Sequence, residues 1–380
     1  MKRPAHLPSL DTIRGLAILL VIAHNAQLLQ PEGMGSVVAA AEYVLNLGWI
    51  GVQLFFVLSG FLITGILMDH LDSPGAMKNF FVRRALRIFP LYYGTLFVLF
   101  VLLPWLDLQP AIYQQDQGNQ TWLWAYLSDW TSPLGMGPHS LPHFWSLAVE
   151  EQFYLLWPLV IHLLRQPRKI MLACVAVAVM SLGIRCGLLF SDLPQEVLYE
   201  WPLCRMDALA LGGLGAACWR HPPAAAWVER HAQQILLFTG AGFALAFWWT
   251  HGLPRQGARG VTVGYSALAL LFTVWVYAAA RRDSGRAAVA AAPTAPSLTG
   301  WASALMQSVG KYSYGMYVFH KPLHDLLSVK LMSKFKLYPV TGVGVACLHV
   351  GAVVLASYAV AWLSYHLYEV HFLRLKDRFA

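Results

Sequence analysis

Several ionisable side chains stand inside the apolar stretches of this chain: Arg14, His24, Glu150, Glu151, Arg185, Arg205, Asp207, His320, Lys321, His349, His366 and Glu369. A charge at the centre of a bilayer costs about 2.5 to 3.5 kcal/mol on insertion scales, so such groups face a helix-bundle interior or an aqueous path and are candidates for function. In "LDTIRGLAILLVIAHN", Arg14 precedes His24 by about 15 Å of helix at 1.5 Å per residue. A guanidinium forks onto a phosphate, and an imidazole takes a proton from a hydroxyl at neutral pH. Together they fit a phosphorylated donor and a reaction centre deeper in the membrane, although His24 alone also reads as a hydrogen-bonded core histidine. In "HFWSLAVEEQFYLLWP", Glu150 and Glu151 point about 100° apart and must do different jobs. Glu150 shares a face with Tyr154 and is placed to orient and charge-stabilise an imidazole such as His24.

Other positions read more plainly. Arg83, Arg84 and Arg87 in "FFVRRALRIFPLYY" form a basic cluster at the expected start of a third helix, suited to lipid phosphate or to an anionic cofactor. "GWIGVQLFFVLSGFLITGIL" carries small residues that let helices approach closely, and Ser59 within it reads as a packing hydroxyl rather than a nucleophile. Arg205 and Asp207 read as a structural pair near a helix end. The cysteines at 174, 186, 204, 218 and 347 show no metal-binding spacing and no metal site is expected, while a bond between Cys186 and Cys204 is one option.

The elements that hold these residues follow from composition. Of 380 residues, 57% are hydrophobic and 12% charged, against about 25% charged in soluble proteins. The expected fold is therefore an all-α polytopic membrane bundle. Ten apolar runs, at about 10–30, 46–68, 88–106, 145–164, 170–190, 203–219, 234–251, 262–280, 310–331 and 341–369, each approach the roughly 20 residues of a membrane span. An even number of spans puts both termini on one side. A cytoplasmic amino terminus places Lys2, Arg3, Lys78, Arg83, Arg84, Arg87, Arg165, Arg168, Lys169, Arg220, Arg230, Arg281, Arg282, Arg286, Arg374, Lys376 and Arg378 inside. Outside lie only Arg255, Arg259, Lys321, Lys330, Lys334 and Lys336. The net charge of +8 thus reflects orientation, with no sign of a nucleic-acid surface. The amino terminus resembles a secretory signal, yet the topology is better served by keeping it as the first span.

Most connections are short, as in a single membrane domain. Residues 107–144 are polar and rich in Pro and Gly, expected outside as a cover or a connector. Residues 281–300 are of low complexity and read as a disordered cytoplasmic linker. No repeat of the kind seen in transporters is evident.

Taken in order, "LDTIRGLAILLVIAHN", "GWIGVQLFFVLSGFLITGIL", "FFVRRALRIFPLYY", "HFWSLAVEEQFYLLWP", "CRMDALALGGLGA", "GKYSYGMYVFHKPL" and "LSYHLYEVHFLRLK" resemble the acyltransferase-three family of integral-membrane acyltransferases. The resemblance implies ten spans in the bacterial cytoplasmic membrane, with transfer of acetyl or another acyl group from cytoplasmic acyl-CoA to an extracytoplasmic acceptor. By position it carries the family's basic residue and histidine onto Arg14 and His24, and its arginine pattern onto Arg84 and Arg87. Its acidic residue falls on Glu150, with Glu151 the more variable neighbour. Arg205, Asp207, Tyr314, His320 and Glu369 match further motif positions. Nine residues separate Arg14 from His24 where the family has ten, implying a bulge or an altered geometry, and Gln53 stands where an acidic residue is common.

The resemblance implies His24 as general base, or as a transient acyl-histidine, with Glu150 holding it and Arg14, Arg84 and Arg87 meeting the phosphates of acyl-CoA. No permanently bound cofactor is expected. The acceptor would be a surface polysaccharide, a lipid-linked sugar, a glycolipid or a small molecule, and the acyl group acetyl, succinyl or longer. The competing class is a transporter or flippase of an anionic or glycan substrate, which uses the same residues as a proton relay.

Overall fold

A computed structural model describes residues 7–29, 35–288, 298–328 and 342–379. The described residues are helical, with no strand among them. In chain order the principal helices are α1 (Pro8–Ala26), α2 (Ser36–Asn46), α3 (Ile50–Asp69), α4 (Ala76–Phe97), α5 (Phe144–Leu164), α6 (Pro167–Leu188), α7 (Gln195–Glu200), α8 (Pro202–Arg220), α9 (Ala232–Trp249), α10 (Tyr265–Ala288), α11 (Leu298–Lys311), α12 (Ser313–Leu326) and α13 (Val343–Ser364). Among the described residues, seven helical stretches are long and apolar enough to cross a membrane: Pro8–Ala26, Ser36–Asp69, Ala76–Trp105, Phe144–Leu164, Pro167–Leu188, Gly260–Gly285 and Val343–Leu375. The chain is thus an all-α polytopic membrane bundle. The other expected spans coincide with α8, which carries Arg205, Asp207 and Arg220, with α9, and with α12, which is separated from α11 at Tyr312.

Several boundaries differ from the sequence reading. Helix α4 begins at Ala76, after Gly75 turns the chain at φ 69°, so Arg83, Arg84 and Arg87 lie inside the helix rather than at its start. Charged residues do not stop a helix, and Arg is a good helix former. Helix runs through Ala288 and resumes at Leu298, which confines the expected linker to residues 289–297, outside the described residues. Lys2, Arg3, Lys330, Lys334 and Lys336 also lie outside them.

The described residues cluster into two compact units. The first comprises the described residues up to Val52 and from Arg282 to Leu375. Here α1 lies against α11, with Gly15 on the Met306 carbonyl and Gly310 on that of Asp11. Ser9 donates from its backbone N–H and its hydroxyl to the Asp283 carboxylate, at 2.8 and 2.6 Å. Gly315 on α12 meets Ala361 on α13.

The second unit runs from Gln53 to Arg281 and takes in the described residues from Lys376. Its centre is the contact of α3 with α8, where Gly60 lies on the Leu209 carbonyl and Gly212 on that of Val57. Such backbone-to-backbone approach is how membrane helices gain packing without a hydrophobic drive. The segment 107–143 is folded into short helical turns rather than an open loop. Tyr92 and Tyr93 of α4 donate to the carbonyls of Leu123 and Trp124, at 2.8 and 3.2 Å. Gln152 of α5 donates to both oxygens of Asp129 at 3.0 Å and to the Tyr126 carbonyl at 2.9 Å, and it accepts from the Trp130 indole at 3.1 Å. The tyrosines of "IFPLYY" and the glutamine of "EEQFY" therefore fasten this segment to the bundle.

Two expectations follow. Gly60→Val must push the Leu209 backbone aside and should cost about 3 kcal/mol, read as a lower apparent Tm in detergent, whereas Gly240→Ala, facing open space on α9, should be neutral or gain about 0.5 to 1 kcal/mol. Burial pushes the Asp129 carboxyl up to about 7, the Gln152 and backbone bonds opposing it. The folded form thus holds the proton more tightly than the unfolded form, so this group's contribution to stability is greatest below the ordinary aspartate range and is lost as pH rises through about 7. Asp129→Asn should flatten that part of the profile of apparent Tm against pH; an unchanged slope would contradict the assignment.

Candidate active site

In the second unit, α3, α4 and α5 bring together residues distant in sequence. The Tyr154 hydroxyl donates to Glu150 Oε2 at 3.2 Å and is hydrogen-bonded to the Ser59 hydroxyl. A phenol has one proton, and with it given to Glu150 the hydrogen bond to Tyr154 is made with the proton of Ser59. The result is a chain polarised from Ser59 through Tyr154 to Glu150. The Arg84 guanidinium carbon lies 4.9 Å from the centre of the Tyr154 ring, within cation–π range. Arg84 makes no ion pair within the described residues, although the field of Glu151 reaches it. Ser59, Arg84, Glu150 and Glu151 are all half-buried, while Arg87 is exposed.

Local sequence explains the placement. Glu150 and Tyr154 are one turn apart on α5, and Pro158, one turn further, lacks the N–H that would close the helix onto Tyr154. The Trp157 indole donates to Thr64 Oγ1 at 2.8 Å. Two rungs, Ser59 with Tyr154 and Thr64 with Trp157, therefore tie α3 to α5.

A second group is closed to solvent. Arg185 and Arg205 are fully buried, and Asp207 nearly so. The expected pairing of Arg205 with Asp207 is corrected: two residues apart on α8 they point to different sides, and Asp207 pairs with Arg185 of α6 at 2.7 Å. Ser266 joins both, accepting from Arg185 at 2.7 Å and donating to Asp207 at 3.0 Å. Arg205 instead donates to Gln53 Oε1 at 2.6 Å, and Gln53 donates to the Tyr265 carbonyl at 3.0 Å. Rings of Tyr265, Tyr199, Phe56 and Trp145 surround the Arg205 guanidinium at 4.5 to 5.8 Å. Cys186 and Cys204 are both free, which removes the disulfide option.

The comparisons with known proteins meet this geometry. A family model described as an acyltransferase domain, acyltransferase-three, matches residues 7–366. The chain belongs to this family. It is similar to the peptidoglycan O-acetyltransferase OatA of Listeria monocytogenes, 34% identical over 164 residues, covering 40% of this chain and 24% of that protein. It is also similar to the O-acetyltransferase OatA of Staphylococcus aureus, 28% identical over 345 residues, covering 85% of this chain and 51% of that protein. The chain thus spans about half the length of the Staphylococcus relative, and the Listeria match covers less. No solved structure matches.

The remaining residues that match the acyltransferase-three motifs lie in the first unit. His24 occupies the last turn of α1, where Gly48 lies against the Leu20 carbonyl and close to the His24 Cβ. Arg14 pairs with Asp11 of its own helix at 3.1 Å. No bulge intervenes, since α1 is α-helical throughout, so the short spacing turns the two residues about 80° apart. His320 is fully buried and donates from Nδ1 to the Tyr317 carbonyl at 2.6 Å. Glu369 accepts from Ser364 at 3.0 Å within a π-helical turn, near Gly315 beside Tyr314. His324 and His349 are hydrogen-bonded at 3.1 Å, and Lys321 pairs with Asp325 at 2.9 Å.

Sequence reasoning passed over Tyr154 as a working group, together with Gln53, Arg185 as the partner of Asp207, and His324. Only Tyr154 had a local signal, its one-turn offset from Glu150. Removing one half of the closed ion pair should be severe. Asp207→Asn should cost about 3 to 5 kcal/mol, and Arg185→Met with Asp207→Leu should recover most of it, measured as apparent Tm of the detergent-solubilised protein.

Proposed function

We propose that this chain transfers an acetyl or other short acyl group from a cytoplasmic acyl-CoA to a hydroxyl of a cell-wall or cell-surface glycan. The observation that carries the reading is the Ser59–Tyr154–Glu150 chain beside the Arg84 guanidinium: a hydroxyl-activating relay and a cation inside apolar helices. Acyl transfer needs both, a base for a hydroxyl proton and positive charge for a carbonyl oxygen that becomes anionic. A flippase breaks no bond and forms no oxyanion for the guanidinium to meet. The names of the relatives, peptidoglycan O-acetyltransferase and O-acetyltransferase, favour acetyl as the group and a cell-wall sugar as the acceptor.

In this reading the thioester C–S bond breaks, an ester C–O bond forms, and over the whole reaction one proton passes to the thiol of CoA. His24 acts as general base on the acceptor hydroxyl. Exposed Arg87 meets the phosphates of the donor, as arginine suits, while Arg84 faces the carbonyl oxygen. The protein sits in the bacterial cytoplasmic membrane with both termini inside.

The test is CoA release from acetyl-CoA by the protein in lipid vesicles, with and without peptidoglycan fragments. Glycan-dependent release should fall by about 10² to 10⁴ in His24→Ala, while the variant remains folded in the membrane. Retention of more than about a tenth of wild-type release would remove His24 from the chemistry. Absence of any acetyl-CoA consumption would overturn the reading.

A further inference from the structure

Ser59 has a position unlike that of a packing hydroxyl. The close approach of α3 to α8 is made by its neighbour Gly60, whereas Ser59 itself is half-buried. Its single proton is committed to Tyr154, so its oxygen lone pairs are what it offers to a ligand. Glu150 at the far end of the chain is a proton acceptor that Ser59 reaches through one phenol. Arg84, over the face of the same phenol and in no ion pair within the described residues, brings N–H donors and a positive charge to the region. Nucleophile, relayed base and cation together are the parts of a covalent acyl-transfer site. Ser59 lies ten residues, about 15 Å of helix, from Asp69 at the end of α3, and Arg84 is eight residues, about 12 Å, from the start of α4 at Ala76. The loop between them is the polar end, so the two side chains lie at comparable depth from it.

We propose that Ser59 is an acyl-accepting nucleophile, taking the acyl group from the donor thioester before the acceptor hydroxyl receives it. The inference rests on the acyl-transfer reading above. In the first step Ser59 Oγ attacks the thioester carbonyl while its proton passes to Tyr154 and the phenol proton to Glu150. The C–S bond breaks and the proton held at Glu150 is returned to the thiolate, giving acyl-Ser59 and free thiol. In the second step the acceptor hydroxyl attacks acyl-Ser59, the new ester forms, and the acceptor proton is restored to Ser59. Atoms and charges balance over each step, and no further reagent is required. An oxygen ester lies below a thioester in free energy, so the acyl group loads onto Ser59 spontaneously and is held until an acceptor arrives.

The experiment uses the full chain in lipid vesicles, incubated with acetyl-CoA and no acceptor, quenched in acid and digested for mass spectrometry. The peptide carrying Ser59 should be heavier by one acetyl group in the wild type, and the label should leave on addition of peptidoglycan fragments. Ser59→Cys should retain the label as a thioester cleaved by neutral hydroxylamine. Tyr154→Phe, which keeps the ring under Arg84 but cuts the relay, should load at least about tenfold more slowly. Ser59→Ala should show no label there and lose glycan-dependent CoA release. A wild type that consumes acetyl-CoA in the presence of glycan yet carries no acetyl on Ser59 overturns the inference, whatever the variants do, and leaves the acyltransferase reading standing. A wild type that consumes no acetyl-CoA overturns both.

Discussion

Lipid offers a buried charge no partner, and the second unit is organised around that fact. Arg185 finds Asp207, Ser266 and the Cys204 carbonyl, so its charge is matched and its protons are largely used. Arg205 is treated differently. It meets a neutral carboxamide, Gln53, and four aromatic rings, each worth about 0.5 to 2 kcal/mol as a cation–π contact. These contacts draw on α3, α5, α6, α7, α8 and α10 at once. Rotating any of these helices would leave a guanidinium in apolar surroundings, at a cost of several kcal/mol. The closed charges thereby fix the rotation of α3 and α5.

That rotation is what the half-open cluster depends on. Ser59 and Gly60 are adjacent on α3, so the face that puts Gly60 on Leu209 turns Ser59 about 100° away, toward α5. Thr64 and Trp157 repeat the link further along the two helices. The hydroxyl chain is thus supported by packed helices and a second hydrogen bond rather than by loops, as reactive groups require to keep their geometry. Gln152, on the same helix as Glu150, turns the opposite way and fastens the 126–131 turns instead. Neighbouring residues on α5 serve the hydroxyl chain and the scaffold by pointing in different directions.

The all-helical architecture and most spans were legible because hydropathy in a membrane protein is a statement about solvent, and it is local. Helix starts were less so: a window sensitive to apolar content begins the third span at 88, whereas the helix begins at Ala76 and carries its arginines within it. Glu150 and Tyr154 were paired correctly by their offset of four. Partners across helices were not legible. Ser59 and Tyr154 are 95 positions apart, Gln53 and Arg205 152, and Arg185 and Asp207 22. Nothing in the local pattern says which helix faces which, so the nearest opposite charge in sequence, Arg205 with Asp207, was an attractive and mistaken pair.

The first helix bears on the proposed donor in the same way. On an unbroken helix, a step of ten residues puts Arg14 and His24 on faces about 80° apart. A phosphate on Arg14 and a hydroxyl on His24 would then not share one line along α1. Arg14 is moreover half-neutralised by Asp11 one turn away, which weakens its pull on an anion. Arg87 is exposed and Arg84 half-buried, both on α4. An exposed guanidinium suits the first capture of a phosphorylated donor, and one placed over a phenol in a reactive cluster suits the carbonyl oxygen that becomes charged. In the proposed reading, donor recognition therefore rests on α4 more than on Arg14.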